Sequence, residues 1–459
     1  MTLLSGGSYA GLVSVHDHSP AAPRAVRIMI CLLGALALIA TLGPLAASAQ
    51  VATPTPQGAP GRVTDLGVIR DPAFAALPGA TADAGYYSGG AYRIEVPSDW
   101  NGGLVIFAHG YRGETPDIFV SDSPLREHLI ANGYAWAASS YRGNSYRPDW
   151  GVDDTLALRD LFIQRYGAPR WTILHGQSMG GHVLVASLEQ HSGIYQAALA
   201  ECGVLTGIGE FDYLGAYTAA AEYLSGVRLL DAPDGATFGN LVQAQWLPAM
   251  GTPGHYTPRG EQFDSVVKYL TGGDLPFREQ GLAQYYLRDL ALLRDPSSAP
   301  PSAPARRAMR TSDVVFQIDP GLGVSAEALN AGVRRFDPVP GARSPANDPV
   351  FADFSGQIDV PVISLHGTGD AFVPFRFEQD YRRKTIAAGT AELFVQRAIR
   401  RAGHCNFSDQ ERNQAFDDLV AWLEQGQPPD GDDVLSDDLA HLGLRWTSPL
   451  EPDDPLAGS

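Results

Sequence analysis

The chain has 459 residues, of which 44% are hydrophobic and 18% are charged, so its composition is that of an ordinary globular protein. Its length allows one large domain or a domain with a sizeable insertion. The formal net charge of -18 argues against nucleic acid and against an anionic membrane surface as partners.

The first 49 residues have the features of a signal peptide. Two arginines precede an apolar run at residues 28–42, and Ala-Ser-Ala at 47–49 is a small-x-small cleavage site. The run is short for a membrane span. We therefore predict cleavage after Ala49 and a secreted or periplasmic protein with no stable membrane anchor after cleavage. An uncleaved anchor is the alternative.

Cleavage at this point would leave only two cysteines, Cys202 and Cys405. Exported proteins commonly join such a pair in a disulfide, and two separate buried thiols are the alternative. The sequence contains no spacing typical of a zinc site and no dinucleotide fingerprint. We therefore predict no metal and no cofactor.

The pattern of strands and helices divides the chain into a core, an insertion and two flanks. Apolar strands alternate with helical patterns at 86–203 and 355–425, which predicts an α/β core with a mostly parallel sheet and helices on both faces. Residues 204–354 show helical patterns without a clear strand, which predicts a large, mainly helical cap. Residues 50–85 are predicted as a flexible lead-in, and 426–459 as a loosely packed, acidic, Pro-rich tail.

A candidate nucleophile lies in the stretch G-Q-S-M-G at residues 176–180. It follows an apolar run at 171–175 and opens a helical segment at 181–190, which is the strand-turn-helix setting of a nucleophile elbow. A serine hydroxyl is a poor nucleophile and must be held exposed beside a base. We therefore predict Ser178 as the nucleophile. A Gly-rich turn with an idle serine is the alternative.

The acid and the base of a triad are predicted downstream. Asp370 follows the apolar strand at 360–365, and His404 follows the last predicted strand at 392–395. Because parallel strands end at one edge, where such sheets place their ligand crevice, these loops are expected to meet. His404 would take the proton from Ser178, and Asp370 would orient the imidazole.

Other acids and histidines are weaker candidates for these two roles. The weaker candidates for the acid are Asp359, Glu378 and Asp380, and the only histidine after His404 in the sequence is His441. Four further histidines are predicted to pack or to form hydrogen bonds near the site: His109, His175, His182 and His366.

A developing oxyanion needs backbone N–H donors. One is expected from Met179, directly after the nucleophile, and the second from Tyr111 in the loop that follows the strand at 104–108.

Together these motifs resemble those of the α/β-hydrolase superfamily. The resemblance is carried by His-Gly at 109–110, the elbow, His366-Gly-x-x-Asp370-x-x-Val-Pro and Gly-His404, and it covers about residues 92–423. The order nucleophile, acid, base is that of this superfamily. The resemblance implies an α/β-hydrolase fold and a serine triad. It implies no particular substrate, because the superfamily includes esterases, lipases, peptidases, acyltransferases and some lyases.

Two narrower resemblances rest on single motifs. His404-Cys405 is similar to the tannase and feruloyl esterase group, in which a disulfide joins a Cys before the serine to a Cys after the histidine. Gln177 stands before the serine here, and the resemblance implies Cys202 as the substitute partner. The elbow S-M-G-G at 178–181 also resembles that of secreted cutinase-like polyester hydrolases, which lack a cap of this length.

The predicted activity is hydrolysis of a small or polymeric carboxylic ester through an acyl-enzyme on Ser178. A peptidase of the same superfamily is an alternative, in which Glu201, Glu210 and Asp212 are the acids available to receive a free N-terminus. A non-catalytic binding protein on this scaffold and an acyltransferase are further alternatives. The sequence indicates no oligomeric state.

Overall fold

The computed structural model describes residues 61–293 and 303–449. The strands in chain order are β1 (Arg62–Thr64), β2 (Gly67–Ile69), β3 (Ala80–Tyr87), β4 (Gly90–Pro97), β5 (Gly103–Ala108), β6 (Asp117–Ile118), β7 (Ala135–Ser139), β8 (Trp171–Gln177), β9 (Ala197–Glu201), β10 (Gly251–Thr252), β11 (His255–Tyr256), β12 (Val362–Gly369) and β13 (Phe394–Ala402). The α-helices are α1 (Arg126–Ala131), α2 (Pro148–Tyr166), α3 (Met179–Gln190), α4 (Gly209–Ser225), α5 (Gly235–Leu241), α6 (Leu247–Met250), α7 (Pro258–Thr271), α8 (Arg278–Tyr285), α9 (Arg288–Leu292), α10 (Ala303–Ala308), α11 (Ala326–Gly332), α12 (Arg376–Ala388) and α13 (Asp409–Gln425).

The central sheet has eight strands in the order β13-β12-β9-β8-β5-β7-β4-β3. The strands from β13 to β7 run parallel to their neighbours, whereas β4 and β3 are antiparallel. Every residue of β5 and β8 is buried because helices cover both faces of the sheet. The predicted α/β fold with a mostly parallel sheet is confirmed.

Alternate residues of β5 enter two different cores. Leu104 and Ile106 pack in a cluster that includes Phe162 of α2, and Val105 and Phe107 pack in another that includes Phe416 of α13. This alternation is expected of a strand, in which successive side chains point to opposite faces. A third and larger cluster joins α3 to the residues of the segment predicted as a cap.

The segment 204–354 lies in the chain between β9 and β12 and contains α4 to α11. Aromatic side chains hold it together: Phe263 of α7 packs edge-to-face with Tyr217 and Trp246 at centroid distances of 4.9 and 5.9 Å. The short hairpin β10-β11 is not part of the sequence prediction for this segment. Two-residue strands are too short to show a period of two along the chain.

The structure differs from the predicted lead-in within residues 61–85. β1 pairs with β2, and β3 pairs along its whole length with β4 as the edge of the central sheet. The sequence of β3 alternates weakly because an edge strand is half exposed, so its pattern resembles a polar linker. The core therefore begins before residue 86.

The tail also differs from its prediction in the part that the structure describes. Val434 and Leu442 are buried against Leu275 and Phe375, and Arg400 donates to the carbonyl of Leu442 at 3.1 Å. A few buried aliphatic side chains are enough to pack this segment, although its hydrophobic residues follow neither a helical nor a strand pattern.

The predicted signal peptide, residues 1–49, lies outside the described residues. Within 61–293 and 303–449, the helices lack the combination of length and apolar character needed to cross a bilayer.

Candidate active site

Ser178 stands in a strained turn between β8 and α3, with φ 58° and ψ -121°. Positive φ is uncommon for a residue with a side chain and persists where surrounding contacts enforce it. Here the Ser178 N–H donates to the Glu201 carbonyl at 3.0 Å, and the Ser178 carbonyl accepts from Gly181 at 2.8 Å. A Cβ on Gly180 would lie 1.9 Å from the Ala108 carbonyl oxygen, so this close crossing of α3 over the end of β5 requires glycine.

The three residues predicted as a triad meet in space. His404 Nε2 lies 2.8 Å from Ser178 Oγ, and His404 Nδ1 lies 2.6 Å from Asp370 Oδ2. With Nδ1–H donating to the carboxylate, Nε2 is left to accept the serine proton, which is the arrangement that nucleophile activation requires. All three residues are buried, so water competes little for these hydrogen bonds.

Backbone N–H groups of the turn that contains Asp370 orient its carboxylate. Its Oδ1 accepts the backbone N–H groups of Phe372 and Val373, each at 3.0 Å. Its Oδ2 is then directed to His404. The Phe372 ring also packs edge-to-face on the imidazole, with centroids 5.0 Å apart.

The predicted pair Cys202 and Cys405 forms a disulfide with a Cα–Cα distance of 5.2 Å. Cys202 follows β9, and Cys405 follows His404 directly, so the bond ties the loop of the base to the sheet. Both sulfurs are consumed by this bond. The group of Cys202, His404 and Cys405, whose atoms lie within 4.8 Å of one another, therefore offers no thiolate to a metal.

The acid and histidine alternatives are engaged elsewhere. Glu378 contacts His366, and Asp380 forms ion pairs with Arg376 and Arg383. Asp359 accepts a hydrogen bond from Ser192. His441 pairs with Asp438 on the surface. None of these contacts involves Ser178 or His404.

His366 contacts the turn that follows Asp370 and helps to hold it in place. Its Nε2 lies 2.8 Å from the Val373 carbonyl and its Nδ1 lies 3.1 Å from Glu378. Burial lowers the pKa of His366, but Glu378 and Asp370 outweigh that effect, so the pKa is raised above its ordinary value. His366 is therefore a positioning residue beside Asp370.

His175 supports the end of β9. Its Nε2 lies 3.0 Å from Glu201 Oε1, and Arg412 Nε lies 3.1 Å from Glu201 Oε2. Burial alone would raise the pKa of Glu201, but the neighbouring His175 and Arg412 lower it to about 2. The backbone carbonyl of Glu201 accepts a hydrogen bond from the Ser178 N–H. The buried cluster that fixes the Glu201 side chain therefore also helps to hold the turn at Ser178 in place.

His182 and His109 are packing histidines. His182 lies 3.1 Å from the Tyr146 hydroxyl and 2.8 Å from the Val350 carbonyl, and burial lowers its pKa to about 4. His109 stacks on Tyr141 with centroids 3.9 Å apart.

The loop after β5 approaches the nucleophile. A Cβ on Gly110 would lie 2.8 Å from Ser178 Cβ, so the backbone that leads to Tyr111 runs beside the serine. Met179 opens α3 on the other side. The two predicted oxyanion donors therefore belong to backbone segments that flank Ser178, and their role stays a prediction.

A cavity of about 520 Å³ opens above Ser178. Phe372 and Val373 from the acid turn line it together with Glu210, Phe211 and Leu214 from α4. This volume includes space that is open to solvent at the mouth of the cavity. Its mostly apolar wall with a few polar groups suits an organic substrate.

Sequence reasoning missed the support given by Tyr285, whose hydroxyl accepts the His404 N–H at 3.2 Å. No local signal marks this tyrosine, because it lies 119 residues from His404 in the chain. Phe372 was within reach of prediction, because it stands two residues after Asp370 in the same motif.

Several known proteins resemble this chain at low sequence identity. No protein-family profile matches it. It is 23% identical over 399 residues to an o-phthalyl amidase of Xanthobacter agilis, with 74% of this chain and 86% of that protein covered. Similar solved structures include feruloyl esterase B from Aspergillus oryzae, with TM-score 0.41, 13% identity and coverage of 76% of this chain and 82% of that one. An esterase from Aspergillus oryzae gives TM-score 0.44 and 13% identity, with 76% and 80% covered.

Proposed function

We propose that this chain, which has the α/β-hydrolase fold that its motifs predict, is an exported serine hydrolase that cleaves a carboxylic ester through an acyl-enzyme on Ser178. The observation that carries the proposal is the hydrogen-bonded series Ser178–His404–Asp370, with distances of 2.8 and 2.6 Å. The cavity above Ser178 supports it, because it gives an acyl group a place to bind.

The geometry supports the following sequence of steps. Ser178 Oγ attacks the substrate carbonyl carbon while His404 Nε2 takes the hydroxyl proton, and Asp370 stabilises the resulting imidazolium. The oxyanion accepts hydrogen bonds from the backbone N–H groups of Met179 and Tyr111. His404 returns its proton to the leaving alcohol, which leaves the acyl group on Ser178. Water, deprotonated by His404, then releases the acid and restores the serine.

Amide hydrolysis is the second candidate. The distant relative from Xanthobacter agilis is named an amidase, and its similarity spans most of both chains. The same residues serve both reactions, since only the leaving group differs and an amine leaves after protonation by His404. The peptidase alternative belongs to this candidate.

Export is part of the proposal. The signal-peptide features of residues 1–49 motivate it. The disulfide between Cys202 and Cys405 supports it, because such bonds persist mainly in oxidising compartments. Mass spectrometry of the protein recovered outside the cytoplasm would test it, with an N-terminus at Gln50 as the expected result.

The activity is tested with p-nitrophenyl esters from acetate to palmitate and with the matching anilides. We expect ester hydrolysis by the chain from Gln50 onward and a loss of at least about 10³-fold in kcat for Ser178→Ala. Ser98→Ala, at an exposed serine, is the control and should retain the rate. Cleavage of anilides alone would favour the amide candidate. Cleavage of neither set would count against both candidates, and activity retained in Ser178→Ala would overturn the nucleophile.

A further inference from the structure

The three acids near the start of the cap differ in their partners. Glu201 contacts His175 and Arg412, and Asp212 pairs with Arg343 at 2.8 Å. Glu210 has no such cation. It is 4% exposed, lines the cavity above Ser178, and receives no hydrogen bond or ion pair from the residues that the structure describes.

The polar groups around Glu210 are committed elsewhere. His182 Nε2 lies 2.8 Å from the Val350 carbonyl and donates to it, so His182 Nδ1 is the acceptor for the Tyr146 hydroxyl. Tyr146 therefore has no proton left for Glu210. Asp289, a second buried acid nearby, contacts Tyr213 at 3.2 Å. Glu210 Oε2 and Asp289 Oδ1 have no hydrogen-bond partner among the described residues, so the two acids do not satisfy each other.

Two arginines of this region, Arg288 and Arg306, have other contacts and form no ion pair with Glu210 among the described residues. Arg288 lies over the Phe372 ring, 4.2 Å from its centroid. Arg306 lines the cavity, and its guanidinium donates to the backbone carbonyls of Leu292 and Leu293. Among the described residues that line the cavity, Glu210 thus has a buried carboxyl oxygen without a hydrogen-bond partner.

An unsatisfied buried carboxyl is costly, and a ligand that donates hydrogen bonds to it would remove that cost. Burial and the neighbouring Asp289 and Asp370 raise the pKa of Glu210 well above its ordinary value, with Arg288 acting in the opposite direction. A cation bound at Glu210 would favour the ionised carboxylate again. Three N–H donors on a compact positive charge make a primary ammonium suited to this place.

We propose that Glu210 is a specificity-determining residue that receives a primary ammonium group of the substrate. The inference rests on the proposed function and deepens it, because it names the substrate class as esters or amides that carry a protonated amine near the scissile carbonyl. When the ammonium binds, Glu210 releases its proton to solvent and the carboxylate accepts N–H hydrogen bonds. The only covalent change in this step is the breaking of the Glu210 O–H bond, whose proton passes to water or buffer.

The test measures binding without turnover, so its failure is distinct from a failure of the proposed hydrolysis. Pentylammonium and n-pentanol, matched in length, are titrated calorimetrically into Ser178→Ala protein. We expect the ammonium to bind at least about tenfold more tightly, within the range measured for close buried charge pairs. Titration in buffers of different ionisation enthalpy should show proton release on binding of the ammonium and none for the alcohol.

The preference should disappear in Ser178→Ala/Glu210→Gln and persist in Ser178→Ala/Asp212→Asn. Asp212 is the matched control, because it lies in the same helix and its substitution likewise turns a carboxyl into an amide, but it is paired with Arg343. Circular dichroism and thermal unfolding confirm that each variant is folded. Equal binding of the two probes, no binding of either, or a preference that survives Glu210→Gln would overturn the proposal. So would tighter binding of pentanoate, which would assign recognition to Arg306.

Discussion

The backbone N–H of His404 donates a hydrogen bond of 3.2 Å to the hydroxyl of Tyr285, the last residue of α8. One turn earlier on α8, a Cβ on Gly281 would lie 1.8 Å from the carbonyl oxygen of Gly369, the residue before Asp370. A helix of the segment predicted as a cap therefore contacts both the loop of the base and the loop of the acid. It shapes the candidate catalytic geometry as well as the pocket.

Tyr285→Phe removes the acceptor of the His404 N–H while keeping the ring that stacks on Phe372 at a centroid distance of 5.4 Å. An unsatisfied buried donor costs about 1–3 kcal/mol, so we expect kcat/KM to fall about tenfold. Ester kinetics measure the effect. Tyr286→Phe is the control, because the buried Tyr286 hydroxyl has no hydrogen bond to any residue that the structure describes. Equal effects of the two variants would contradict a role for the Tyr285 hydroxyl.

Gly281→Ala places a methyl group against the Gly369 carbonyl and forces α8 away from the Asp370 turn. We expect a loss of about 1–3 kcal/mol in the free energy of unfolding together with a lower kcat. Urea unfolding and ester kinetics measure the two effects. Gly235→Ala is the control, since a Cβ there meets nothing within 4 Å. An unchanged kcat in Gly281→Ala would show that the acid turn tolerates displacement of the helix.

Asp370→Asn turns an amide toward His404 Nδ1 and favours the tautomer that carries the proton on Nε2. That nitrogen can then no longer accept the proton of Ser178, so we expect kcat to fall about 10⁴-fold. Asp380→Asn, at a partly exposed acid paired with Arg376 and Arg383, should change kcat less than about twofold. A small effect of Asp370→Asn would mean that another acid supports His404.

The double variant Cys202→Ser/Cys405→Ser opens a covalent loop with a sequence separation of 203 residues. We expect a loss of about 2–5 kcal/mol in the free energy of unfolding and a lower kcat, because the loop of His404 loses its tie to β9. Urea unfolding with and without dithiothreitol measures the change. Reductant should weaken the wild type and leave the double variant unaffected. A wild type insensitive to reductant under unfolding conditions would count against the disulfide.

Glu201→Gln removes a buried carboxylate that faces His175 and Arg412. Breaking such a cluster costs about 3–5 kcal/mol at neutral pH. The folded pKa of about 2 lies below the ordinary value, so the stabilisation is present above about pH 4.5 and is lost as the pH falls toward 2. The difference in unfolding free energy between wild type and variant should therefore narrow on acidification.

Urea unfolding at a series of pH values checks this narrowing. Glu424→Gln is the control, because Glu424 forms an exposed pair with Arg170 and should show a small difference at every pH. A constant large difference for Glu201→Gln would mean that the carboxylate does not contribute through its charge.

The sequence by itself determined the features that rest on short segments. The elbow at Ser178 combines a strand, a tight turn and a helix within about twenty residues, so local periodicity and glycine placement suffice to identify it. Asp370 and His404 each follow a strand of the parallel core, and the topology of such sheets brings strand ends to one edge. The disulfide partners followed from the count of cysteines.

Only the tertiary structure decided which residues from distant, weakly patterned segments reach the site. β3 joins the sheet through backbone pairing with β4, which requires no particular side chains and leaves little trace in the sequence. Tyr285 reaches His404, and Glu210 Oε2 has no hydrogen-bond partner within the described residues, because of how α8 and α4 pack on the core. Three similar acids thus acquire different surroundings, because burial and partners depend on long-range packing and not on residue type.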